Sequence, residues 1–149
     1  MTLSQTDFER LLRLRSGLRR FLRGGERQAE AVGLTPAQHE LLLAIQGHPD
    51  PSGPTVGDVA EHLVLRHHSA VGLIDRATAA GLVRRNPDRS SKAVVRLALT
   101  RAGRAKLDAL VDLHRAELAH LAPTMSALRD ALEQGGAGAR AAAAESPAA

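Results

Sequence analysis

LRHHSAVGLIDRATAAGLVRRNPDRSSKAVVRLALT, residues Leu65–Thr100, decides how this chain is read. Its first half carries apolar residues at helical spacing, Ala70, Leu73, Ile74 and Ala77, behind two adjacent histidines, His67 and His68. Gly81 stops that helix, as glycine does just past a helix C-terminus. "LVRR" (Leu82–Arg85) then reads as a short strand, "NPDRSSK" as a turn, and "AVVRLAL" as a strand rich in β-branched residues. Just upstream, Thr55 caps a short helix, "VGDVAEHL", whose inner positions are Val59, Ala60 and Leu63. "VLR" turns the chain between the two helices.

Working outward, "LTPAQHELLLAI" begins another helix. Thr35 is its N-cap, Pro36 fits the first turn, and Gln38 completes a capping box. Leu41, Leu42 and Ile45 form its buried face, and Gly47–Pro54 is a loop rich in proline and glycine. Residues 5–31 predict a long helix with Phe8, Leu11, Leu12, Leu14, Leu18, Phe21 and Leu22 over a broad face. Arginines fill its other side, and Gly24 and Gly25 weaken or bend it. Such an apolar face wants a second partner. Thr100 caps a last long helix from Arg101 to about Leu121, with Leu107, Leu110, Val111, His114, Leu118 and Leu121 along one seam. Pro123 interrupts it, and residues 124–134 add a short helix through Met125, Leu128 and Leu132. Residues 135–149 lack large apolar groups and are expected to be a disordered tail. Residues 1–134 thus read as one protomer, with a compact lobe at 55–99 flanked by helices at 5–31 and 101–134.

Composition narrows the function classes. Apolar residues make up 44% of the 149, enough for a core, but Phe8 and Phe21 are the only aromatics. Without an aromatic platform, stacking of single-stranded bases is a poor fit. The absence of cysteine excludes disulfides, thiolate chemistry and cysteine-rich zinc sites. The N-terminus carries no basic region followed by an apolar one, and "LLLAI" is too short to span a bilayer, so a cytoplasmic protein is expected. The charge is uneven. Residues 55–106 hold ten Lys/Arg against four acids, a local +6, whereas 107–149 hold three arginines against six acids, a local −3. One polyanion-facing side follows from that segregation.

Two short helices, a tight turn between them and a two-stranded hairpin with a basic tip are the parts of a winged helix-turn-helix. The expected fold class is mainly α with a small antiparallel β-wing. The second helix suits the major groove of duplex DNA, and its leading turn faces the base edges. The expected DNA-facing set is Arg66, His67, His68, Ser69 and Gly72 from this helix, Arg84 and Arg85 at the hairpin root, and Arg89, Ser90 and Lys92 at the tip. Arg96 joins the backbone contacts if it faces outward.

On "VGDVAEHL", "LIDRATAAGLVRR" and "LALTRAG", in this order and spacing, the segment Thr55–Gly103 resembles the MarR family of bacterial transcription regulators. With the flanking helices, the likeness extends over about residues 5–134. It implies a homodimer whose N- and C-terminal helices interlock, and two recognition helices about one DNA turn, roughly 34 Å, apart on a pseudo-palindromic operator. It also implies a repressor relieved by a small aromatic or anionic effector. The chain departs from the family at two places. Val71 and Gly72 stand where members often carry a Thr-Arg pair. Ser91, Lys92 and Ala93 stand where the wing commonly has an Asp and paired arginines, with Asp88 and Arg89 earlier in the turn. The internal Asp–Arg bracing of the wing is therefore open.

Other residues suggest narrower roles. His39 lies near where the family forms its effector cleft, and Arg15 or Arg19 suits an anion; His114 completes this candidate set. The spacing of His114, Glu117 and His120 puts three metal-type ligands on one helix, which keeps a metal-responsive regulator as an alternative, although no metal or cofactor is expected. An architectural DNA binder without effector is the other alternative. No phosphate loop, nucleophile triad or paired carboxylates in an apolar frame argue for an enzyme, and none is expected.

Overall fold

The computed structural model describes residues 3–123, 125 and 126. Its elements are helices α1 (Gln5–Ala31), α2 (Pro36–Gln46), α3 (Val56–His62) and α4 (His67–Ala79), strands β1 (Val83–Pro87) and β2 (Val95–Leu99), and helix α5 (Arg101–Asp108). A further helix, α6, runs over residues 111–123. The chain divides into two compact units, residues 1–24 with 113–149 and residues 25–112.

The second unit holds α2 to α5 and the hairpin. Local chemistry sets its helix starts. Thr35 accepts from the Gln38 amide while Gln38 Oε1 accepts from the Thr35 amide, at 3.1 and 3.0 Å. Thr55 and Asp58 repeat that reciprocal box at the start of α3. These caps satisfy N–H groups that no helical turn reaches. The expected inner faces of α2 and α4 are buried: Leu41, Leu42 and Ile45, and Ala70, Leu73, Ile74 and Ala77. In α3 only Val59 and Ala60 are fully buried, while Leu63 at its C-cap is half-buried. α4 packs on α2, α3 and β1, and Leu82, Val83 and Leu97 close the core from the hairpin side. β1 and β2 pair antiparallel, with Val83 opposite Leu99 and Pro87 opposite Val95. β2 also receives the loop before α3, because the Leu97 amide donates to the Pro54 carbonyl at 2.9 Å.

In the first unit, the stretch of α1 before Gly24 exposes most of its large apolar residues: Phe8, Leu11, Leu12, Leu18, Phe21 and Leu22 are each 42–62% exposed. Leu118, Leu121 and Met125 are likewise exposed, whereas Leu113 is buried. Gly24 and Gly25 do not interrupt α1, which continues to Ala31.

The last long helix differs from its expected form. It tightens at Ala109–Leu110, where the Leu110 amide donates to the Leu107 carbonyl at 3.0 Å, so α5 and α6 are separate elements. Leu107 and Leu110 are both buried. Pro123 is itself helical, the last residue of the run 111–123. The expected helix over 124–134 and the expected disordered tail at 135–149 lie outside the described residues, apart from residues 125 and 126.

Two backbone positions test these contacts with opposite signs. Val64, in the turn between α3 and α4, is 91% exposed and has φ +53°, a left-handed conformation that a β-branched side chain resists. Val64→Gly should stabilise the chain by about 1 kcal/mol in urea unfolding, since it releases strain and empties no core site. Gly53 has φ +85°, and a Cβ there would lie 2.0 Å from the Leu97 carbonyl oxygen. Gly53→Ala should therefore destabilise by about 2 kcal/mol or more in the same measurement, through both strain and a forced shift of β2.

Candidate nucleic-acid interface

The leading end of α4 is built outward by the burial of its other face. Ala70, Leu73, Ile74 and Ala77 point into the core, which leaves Arg66, His67, His68 and Ser69 exposed. Arg66 is the N-cap and makes no side-chain cap hydrogen bond, and the first turn of α4 holds no acid. Of the helices with a described N-cap, α2, α3 and α5 are each closed by a threonine; α4 is not. The Ser69 amide turns back to the Arg66 carbonyl at 3.0 Å, and the positive end of the helix dipole and the basic side chains face the same solvent. This arrangement favours an incoming anion. Gly72 is half-buried one turn further on.

The hairpin supplies the second basic group. Arg84, Arg89, Ser90 and Lys92 are all exposed. Arg85 is also on the surface, but its guanidinium is tied to α4, with Nη2 2.5 Å from Asp75 Oδ1 and Nη1 3.4 Å from the Thr78 hydroxyl. The Arg85–Asp75 pair holds the hairpin root to α4. Ser90 turns back on the tip itself: its hydroxyl and amide donate to Asp88 Oδ2 at 2.5 and 3.1 Å.

Asp88 stands outside the expected DNA-facing set, and Arg96 was expected there only if it faced outward; together they organise the tip. Arg96 Nε donates to Asp88 Oδ1 at 2.9 Å, and Arg96 Nη1 donates to the Gly53 carbonyl at 3.1 Å. The Ser90 hydroxyl, and after it the Arg96 guanidinium, holds the Asp88 carboxyl down from 3.8 to about 2. Arg96 is thus committed to the protein and is not an outward-facing cation. The wing has an Asp–Arg brace after all, made by Asp88 and Arg96 in place of the family's usual positions. Asp88 two residues before Ser90 is a turn signal visible in the sequence. The distant Arg96–Gly53 contact has no such local signal.

The remaining candidates fall elsewhere. Arg15, Arg19 and His114 belong to the first unit and His39 to the second, where His39 is 4% exposed on α2. Arg15 and Arg19 are exposed and His114 is half-buried. His120 Nδ1 lies 2.7 Å from the Ala116 carbonyl. Among the described residues, no group of three or more His, Cys, Asp or Glu is placed to hold a metal ion. No helix among them is long and apolar enough to cross a membrane.

Comparison with known proteins agrees with this geometry. The family model for the MarR family matches residues 32–92, from the end of α1 to the wing turn. The transcriptional activatory protein BadR of Rhodopseudomonas palustris is 34% identical over 80 residues, which cover 54% of this chain and 46% of BadR. The matched stretch is thus less than half of that relative. Among solved structures, a MarR family transcription regulator superposes with a TM-score of 0.70 at 20% identity, covering 95% of each chain. The MepR–DNA complex of S. aureus gives 0.63 at 15% identity, covering 95% of this chain and 99% of MepR. At such identities the structural likeness speaks for the fold, a winged helix-turn-helix between long terminal helices. Joined to the family-model match over residues 32–92, it makes the α2-to-wing segment of the chain similar to the MarR family.

Proposed function

We propose that the chain is a homodimeric, sequence-specific reader of double-stranded DNA that regulates transcription. The observation that carries this reading is the leading end of α4, where Arg66, His67, His68 and Ser69 are exposed on a helix whose opposite face is buried. Exposed Arg84, Arg89 and Lys92 on the same unit add the phosphate-directed charge that positions such a helix. His67, His68 and Ser69 carry base-edge donors and acceptors, and Arg89 and Lys92 take backbone phosphates. The crystallised MepR–DNA complex supports the same partner for this chain.

Dimerisation is supported by the first unit. Phe8, Leu12, Leu18, Leu22 and Leu118 stand at 49–68% exposure, an apolar area that a second copy would remove from water. Two recognition helices then meet successive major grooves of a pseudo-palindrome. A dimer seated over a promoter represses, and a small aromatic or anionic effector that alters the spacing of the two helices lowers its affinity. Activation is the second reading of the sign, favoured by the likeness to a protein named as a transcriptional activator. Weakly specific architectural binding is the alternative to both.

Binding and assembly measurements test the proposal. Selection of duplex DNA with purified protein should yield a site preferred over random duplex by about 10³ or more; a preference under about tenfold would favour architectural binding. Arg89→Ala and Lys92→Ala should each weaken binding to all sequences and reduce the salt slope by roughly one. His68→Ala should mainly relax sequence preference, and equal loss on selected and random DNA would count against base readout. Leu12→Glu should convert the dimer, seen by sedimentation, to monomers that bind the selected site far more weakly.

A further inference from the structure

The loop Gly47–Pro54 is the irregular stretch of the second unit, yet it is fastened to β2 at adjacent residues. The Leu97 amide reaches Pro54, and Arg96 reaches the Gly53 carbonyl at 3.1 Å and Asp50 Oδ2 at 3.5 Å. The same guanidinium holds Asp88, across the hairpin, at 2.9 Å. One planar fork therefore joins two points that lie 43 and 8 residues from it in the chain. The junction is sheltered: the Arg96 side chain is 21% exposed and that of Asp88 10%. Asp50 also accepts from the Ser52 amide at 2.8 Å, which shapes the loop on its own side. Asp58 stands nearby with its oxygens in the α3 capping box and 3.8 Å from His48 Nε2. On the tip side, Asp88 orders Ser90, the residue next to Arg89, and the Asp88 amide closes the turn on the Val94 carbonyl at 2.9 Å.

We propose that Arg96 is a positioning residue for DNA binding: clamped between Asp88 and the Gly53 carbonyl, it sets where the wing turn presents Arg89 and Lys92, and it contacts no phosphate itself. This rests on the duplex-DNA reading above. Its physical signature is a sign. Asp88 is a negative charge beside a turn that faces a polyanion, so on charge alone its removal strengthens binding. Under the clamp, its removal releases the turn and weakens binding, because a tip that must be ordered on contact binds less well than one held in place.

The test uses the full-length protein and a duplex selected by it, with affinity measured by fluorescence anisotropy across a salt series. Asp88→Asn and Arg96→Lys should each bind roughly tenfold more weakly, as expected for the loss of a sheltered charge-assisted contact, with the wild-type salt slope retained. Arg89→Ala serves as the reference for a lost phosphate contact. Binding by Asp88→Asn as tight as wild type or tighter would overturn the proposal, as would a slope lowered by one in Arg96→Lys. Arg96→Lys keeps the charge and loses only the fork, so its affinity decides the matter if Asp88→Asn fails to fold by circular dichroism. Faster hydrogen exchange at the Asp88 amide in both variants is the accompanying readout, since that amide closes the wing turn. Absence of duplex binding by the wild type would remove the DNA reading and the clamp together; wild-type binding undiminished in Asp88→Asn would remove the clamp alone.

Discussion

The rest of the second unit depends on how α4 is anchored. Ala70, Ile74 and Ala77 are fully buried and Leu73 nearly so, against α2, α3 and β1. Two of the four are alanines, which let neighbouring backbones approach closely. Once this stripe is in the core, helical geometry leaves no choice about the rest of the helix. The first turn, with Arg66, His67, His68 and Ser69, must face solvent. The end of the helix is equally determined: Gly81 takes φ +72°, and the Leu82 amide returns to the Ala77 carbonyl at 2.9 Å, which aims β1 back along the lobe.

Charge is sorted by partner as well as by position. Arg85 and Arg96 are spent on Asp75 and Asp88, and so hold the hairpin at its root and at its turn. Arg84, Arg89 and Lys92 remain exposed. A count of basic residues treats all five as alike, but two are fasteners inside the lobe. The α4 terminus belongs to the same pattern, since among the helices with a described N-cap the one without a threonine carries the histidine pair. Capping by Ser, Thr, Asp or Asn adds stability of order 1 kcal/mol, which α4 forgoes.

The two units have different relations to water. Residues 25–112 enclose Leu34, Leu41, Leu42, Ile74 and Leu97 at 2% exposure or less. The helical residues of the other unit leave Phe8, Leu12, Leu118 and Met125 more than half exposed. Among the described residues, a lobe with its own core and helices that keep large apolar groups exposed fit the association proposed above.

Most of the local structure was legible in the residues. Capping boxes, the Gly81 stop and the apolar period of α2 and α4 act over four residues or fewer, so sequence order is enough to specify them. The basic turn and the histidine pair were legible for the same reason. Tertiary structure decided the rest. The turn at Ala109–Leu110, where the Leu110 amide donates to the Leu107 carbonyl, carries no glycine or proline signal in the sequence. The direction of Arg96 was set by Asp88 across the hairpin and by Gly53, 43 residues earlier in the chain. A charged side chain on an alternating strand reads as outward until something across the fold offers it a carboxylate and a carbonyl. Local hydrogen bonds and periodicity are properties of neighbours in the chain, whereas the use to which each arginine is put is a property of neighbours in space.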